Sequence, residues 1–132
     1  MPKQDLRFMK IKDLVVLAMI SLALWSCKTA QIAPEISRAE TKSMVTNPET
    51  TLVDVRIPEE YSEKTVDGAI NIPLAEITQN LDFFRKQKQV IVFCNTGRQS
   101  REAVEVLKMK GITKVYTGIS VRNMNAIKAE KK

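Results

Sequence analysis

Residues 90–107 read VIVFCNTGRQSREAVEVL. Val90-Ile91-Val92-Phe93 is apolar at every position, so it offers water no face. A short run of that kind bounded by polar residues fits a central parallel strand covered by helices on both sides. Beyond the loop the period changes. Ala103, Val104 and Leu107 share one helical face, and Arg101, Glu102, Glu105 and Lys108 share the other. Gly111 is placed to end that helix. The stretch is therefore a strand, a loop and a helix beginning near Ser100, with Cys94 at the carboxyl end of the strand. Open α/β sheets bind their ligands at that end.

The loop has its own chemistry. Gly97 lets the backbone turn tightly, so that successive N–H groups can point inward at the Cys94 sulfur. The following helix adds the positive end of its dipole, and Arg98 adds a fixed cation. Each favours thiolate over thiol, which lowers the pKa and activates a nucleophile without histidine. The same cradle suits an anion. The competing reading is a buried, inert cysteine, although a core position does not call for a Gly-Arg-Gln-Ser loop.

Outward from this unit the chain alternates helices and strands. Ser37 can cap a helix over 38–46, ended by Asn47-Pro48. Thr51 to Val55 reads as a strand, and Pro58-Glu59-Glu60-Tyr61 as one helical turn with proline first. Residues 68–73 form a brief extended segment and 74–86 a broken helical one. Val115-Tyr116 is a last short strand, and 121–130 a final helix. This order implies an open α/β sheet with no internal repeat. Met44, Met109 and Met124 are expected to pack.

A chain of 132 residues holds one domain at most, and part of it is not domain. Leu14 to Trp25 (LVVLAMISLALW) is apolar and follows Lys3, Arg7, Lys10 and Lys12. That is the layout of a secretory signal. It falls short of the roughly 20 apolar residues of a membrane span; the alternative is a short anchor that stays uncleaved. Leu24-Trp25-Ser26-Cys27 resembles the lipobox of bacterial lipoproteins, departing from it at Trp25. The resemblance implies a lipid on Cys27, a signal peptide over 1–26, a tether over 27–35 and a domain over 36–132. The protein is then exported and held by its lipid at a membrane, facing the periplasm or the cell exterior.

The net charge of +6 includes four cations and two anions of that leader, leaving about +4 on the rest. Basic stripes interleaved with aromatics are absent, which argues against nucleic acid as partner. With Cys27 lipidated, Cys94 is the one free thiol, without a partner for a structural disulfide. The chain has no histidine, which excludes Cys/His zinc sites and a Cys-His catalytic pair.

LVDVRIPEEY (52–61), DGAINIP (67–73) and VIVFCNTGRQS (90–100) resemble, in order and spacing, the motifs of single-domain rhodaneses. The likeness is closest to the phage-shock type and covers about residues 36–118. It implies a rhodanese-like α/β fold whose mostly parallel five-stranded sheet is flanked by helices. It further implies a thiosulfate sulfurtransferase without cofactor or metal, acting as a monomer. Cys94 would take sulfane sulfur from thiosulfate or a similar donor as a persulfide and pass it to cyanide or a thiol. Asn95, Thr96, Gly97, Arg98, Gln99 and Ser100 would bind the substrate. Asp54 and Arg56 are expected to tie strand, loop and helix together, and Glu60 to make a structural hydrogen bond. A second reading on the same fold is a non-catalytic or partner-specific sulfur-relay module.

Two positions depart from the family pattern. Many rhodaneses carry arginine five residues after the cysteine, where this chain has Gln99 and places Arg98 one earlier. Paired glycines are common after the last strand, where this chain has Gly118-Ile119. Cysteine phosphatases of related fold use a loop one residue longer, with arginine at the position held here by Ser100. The shorter loop suits a sulfur atom better than a tetrahedral phosphate.

Overall fold

A computed structural model describes residues 35–130; the expected leader, Cys27 and the tether before Glu35 lie outside the described residues. In chain order the elements are α1 (Arg38–Thr46), β1 (Thr50–Asp54), α2 (Pro58–Glu63), β2 (Ile70–Asn71) and a 3₁₀ helix (Leu74–Asn80). They continue with α3 (Leu81–Lys86), β3 (Gln89–Cys94), α4 (Arg98–Met109), β4 (Val115–Ser120) and α5 (Val121–Ala129). The strands lie in the order β2-β1-β3-β4, all parallel.

Local chemistry sets the helix boundaries. The Ser37 hydroxyl accepts from the Glu40 N–H at 3.2 Å, and the Ser37 N–H donates to the Glu40 carboxylate at 2.8 Å. This reciprocal cap satisfies two donors that the first turn of α1 leaves open. Pro58 opens α2, where its missing N–H costs nothing. Gly111, at φ +83°, takes the left-handed position that closes α4.

β3 is buried on both faces, and the twofold alternation of a strand divides its residues between two cores. Val90, Val92 and Cys94 join Ala103, Val104 and Leu107 of α4. Ile91 and Phe93 join Val121 and Met124 of α5, with Met44 and Val45 of α1 packed alongside. Each fully buried Val, Ile or Phe contributes about 1.5–3 kcal/mol. The strand that carries Cys94 is thus the most firmly held element of the sheet. By parity, the thiol faces the side covered by α4.

The sheet has four strands among the described residues, against the five expected. β2 is only two residues long because Pro73 cannot extend the ladder, and the chain before β1 is taken up by α1. α4 begins at Arg98, two residues earlier than expected, because Gly97 completes the turn by itself. β4 extends to Ser120 rather than stopping near Tyr116. Met124 is fully buried, but Met109 is 77% exposed at the end of α4 and does not pack.

From β1 the chain goes to β2 on one side, and β3 then returns to the other side of β1. Connections therefore diverge above the carboxyl ends of β1 and β3. This is the switch point at which open parallel sheets form a binding crevice. Asp54 ends one of these strands and Cys94 the other.

Candidate active site

Cys94 is 1% exposed, and the polar groups in hydrogen-bond reach of its sulfur are backbone groups and a hydroxyl. Gly97 stands at φ +91°, a conformation that turns its N–H onto Sγ at 3.0 Å. A Cβ at this position would meet Ile119 Cγ2 at 3.0 Å and the Arg101 guanidinium at 3.1 Å. The dihedral therefore favours glycine, and the close side chains add to that preference.

Ser100, fully buried, places its Oγ 3.8 Å from Sγ and 2.8 Å from Thr117 Oγ1. The Thr117 oxygen accepts the Ile119 N–H at 3.0 Å. With the Thr117 proton directed at Ser100, the Ser100 proton can turn between the Gly97 carbonyl at 3.0 Å, the Ile119 carbonyl at 3.3 Å and the sulfur. Burial pushes the Cys94 thiol up. The Ser100 N–H and hydroxyl, followed by the Thr96 and Gly97 N–H groups, outweigh it and hold the thiol below its ordinary value. The result is a desolvated thiol biased toward thiolate, chiefly by the dipoles of neighbouring N–H groups and one hydroxyl.

A second network holds the loop from the β1 side. The Arg56 guanidinium bonds the Asp54 carboxylate, with Nη2 at 2.7 Å and Nε at 3.0 Å, and both residues are buried. Those bonds, working against desolvation, keep Arg56 above its ordinary pKa, and the Cys94 charge adds to the effect. Arg56 also donates to the Lys64 carbonyl at 2.6 Å and to Asn95 Oδ1 at 3.1 Å. Asn95 in turn donates to Glu60 of α2. Hydrogen bonds of Asp54, Arg56 and Glu60 thus link strand, loop and helix, and they do so through the residue next to Cys94. Thr65 and Asn71 complete the network. Thr65 donates to Asp54 at 2.8 Å, and Asn71 donates to the carbonyls of Asp54 and Arg56 at 3.0 and 2.9 Å.

The expected binding residues divide. Gly97 and Ser100 converge on the sulfur with their own atoms, and Thr96 contributes its N–H. Asn95 and Thr96 expose their side chains, Arg98 is exposed at the first position of α4, and Gln99 is half-buried. Sequence reasoning missed Thr117, and it did not foresee the part taken by Ile119. The Ile119 carbonyl approaches Sγ at 3.6 Å because its φ is +70°. That conformation follows from a bulge in β4, where the pairing with β3 skips Gly118. The readable signal was Gly118-Ile119 itself, glycine followed by a residue where a second glycine is common.

A family profile for the rhodanese-like domain matches residues 37–118. Thiosulfate sulfurtransferase PspE of Escherichia coli (strain K12) is 46% identical over 65 residues, which are 48% of this chain and 62% of that protein. The putative sulfur carrier protein YrkF of Bacillus subtilis (strain 168) is 32% identical over 91 residues, 68% of this chain and 49% of that protein. The matches span about half to three fifths of the length of these curated relatives. Among solved structures, a rhodanese with anions from E. coli superposes with a TM-score of 0.52 at 39% identity. It covers 56% of this chain and 89% of that one. A human single-domain sulfurtransferase, TSTD1, shares the fold with a TM-score of 0.57 at 24% identity, over 76% of this chain and 98% of its own.

Proposed function

The chain belongs to the rhodanese family, and from that premise we propose that it is a thiosulfate sulfurtransferase working through a persulfide on Cys94. The observation that supports this most directly is the 3.0 Å approach of the Gly97 N–H to a buried sulfur with a lowered pKa. In the first half-reaction the Cys94 thiolate attacks the outer sulfur of thiosulfate. A Sγ–S bond forms, the S–S bond of thiosulfate breaks, and sulfite leaves with the electron pair. The N–H groups that stabilise the thiolate are placed to stabilise the charged terminal sulfur of the persulfide. In the second half-reaction cyanide or a thiolate attacks that terminal sulfur and Cys94 regains its thiolate. No external oxidant or reductant enters either step.

Intact-mass measurement tests the assignment. Thiosulfate should add one sulfur atom, cyanide should remove it, and Cys94→Ser should take up none. An adduct that survives the substitution removes Cys94 from the mechanism. Turnover with cyanide in the steady state separates free catalysis from transfer to a single protein partner.

We further propose that the mature chain begins at lipidated Cys27 and sits at a membrane facing the periplasm or cell exterior, a reading supported by Leu24-Trp25-Ser26-Cys27. Mass spectrometry of the N-terminal peptide from membranes should find diacylglycerol on Cys27. An unmodified Cys27 overturns it.

A further inference from the structure

The crevice at the switch point is larger than the sulfur chemistry needs. A cleft of about 490 Å³ is lined by Arg56, Lys64, Asn95, Val121, Arg122 and Asn125. It shares Asn95 with the loop and adds residues of α5 and of the segment after α2. Small-molecule sites typically occupy roughly 300–1,000 Å³, so this space suits an organic molecule rather than an ion as small as thiosulfate.

Its lining has one sign of charge. Three cations and two amides contribute, and no carboxylate does. Arg56 is neutralised by Asp54 at 2.7 Å. Lys64 and Arg122 form no ion pair among the described residues. Arg122 is also placed against local preference. It occupies the first turn of α5, where the helix dipole disfavours a cation, and that turn has no acid to offset it. Arg122 at the positive end of a helix, with Lys64 on the same cleft and without an ion pair among the described residues, creates a field that an anionic ligand relieves.

We propose that Lys64 and Arg122 select the sulfur acceptor, and that the cleft receives a small organic thiol bearing carboxylates. The carboxylates rest on these two cations and on the Asn125 amide, while the thiol faces the loop at Asn95. This rests on the persulfide reading of Cys94. The step balances within the two reactants. The acceptor thiolate attacks the terminal sulfur of the persulfide, an acceptor S–S bond forms, and the Sγ–S bond breaks with its electron pair returning to Cys94. The acceptor leaves as its own persulfide anion, which carries the charge of the terminal sulfur.

The test uses the folded protein loaded with one sulfur from thiosulfate, checked by intact mass and by discharge with cyanide. Transfer is then measured to mercaptosuccinate and to 2-mercaptoethanol, each rate referred to its thiolate concentration. The expected selectivity, as the ratio of kcat/KM values, favours the dicarboxylate about fivefold or more and resides in KM. The ratio falls as salt rises. Arg122→Glu and Lys64→Glu should each bring it to one or below, and Arg122→Gln to an intermediate value. All three substitutions are at exposed positions, so the fold tolerates them. A loaded protein that discharges to cyanide yet shows the same ratio in wild type and Arg122→Glu overturns the acceptor site alone. A protein that forms no persulfide overturns the sulfurtransferase reading, and this inference with it.

Discussion

The N–H of Gly97 points at Sγ of Cys94 from 3.0 Å, and it does so only because Gly97 holds φ at +91°. The thiol and the N–H that approaches it are three residues apart, so one glycine links backbone conformation to the environment of the sulfur.

Gly97→Ala should therefore damage both. The added Cβ meets Ile119 at 3.0 Å and Arg101 at 3.1 Å, in a dihedral region that disfavours alanine. A loss of about 1–3 kcal/mol is expected in urea unfolding. Persulfide formation should slow by at least tenfold, as read by mass after brief exposure to thiosulfate.

Ser100→Ala addresses the hydroxyl. Without it, one of the groups that oppose burial is lost and the Cys94 pKa rises, so the pH midpoint of alkylation by iodoacetamide should move upward. In the wild type that midpoint is expected below the ordinary thiol value of about 8.5. The linkage to stability follows in sign. The native thiol binds fewer protons than the unfolded one, so its contribution is complete above the unfolded pKa and is lost as pH falls through the native pKa. Thr117 loses its buried partner, which adds about 1–3 kcal/mol of destabilisation.

Arg98 stands at the first position of α4, exposed, with no ion pair among the described residues. Arg101, by contrast, is engaged by Glu35 at 3.1 Å. Arg98→Ala is expected to slow sulfur uptake from thiosulfate by about ten- to a hundredfold, the range for a hydrogen bond to a charged group. Arg98→Lys should recover part of it, because a point charge lacks the planar fork that holds two oxygens. Stopped-flow measurement of persulfide formation checks both. An unchanged rate assigns the sulfonate to Arg101 or to the backbone.

Ile119 carries strain that its neighbours impose. A β-branched residue at φ +70° is an outlier costing roughly 1–2 kcal/mol. Alanine retains that cost and loses the side chain, whereas glycine loses the side chain and the strain together. Ile119→Gly should thus be more stable than Ile119→Ala by about 1 kcal/mol, the reverse of the usual order of these residues. Denaturant midpoints of the two variants decide it.

The candidate site was legible where it is local. Cys94 and Gly97 were singled out from a change of hydrophobic period around a glycine, and Ser100 from the family motif. Asp54, Arg56 and Glu60 were found from the motifs they belong to, and the structure joins them through Asn95. Thr117 gave no such signal. It lies 17 residues beyond Ser100, and only the register between β3 and β4 brings their hydroxyls to 2.8 Å.

From the sequence alone came the strand, loop and helix around Cys94, the α/β class and the boundaries of α1, because periodicity, caps and glycines act over one or two turns. The tertiary structure alone decided the four-strand order, the left-handed Ile119 and the meeting of Lys64 with Arg122 across one cleft. Those features depend on which strands pair and where a single bulge shifts their register. Pairing is settled by burial of both sheet faces at once, a condition on residues far apart in the chain that no local pattern contains.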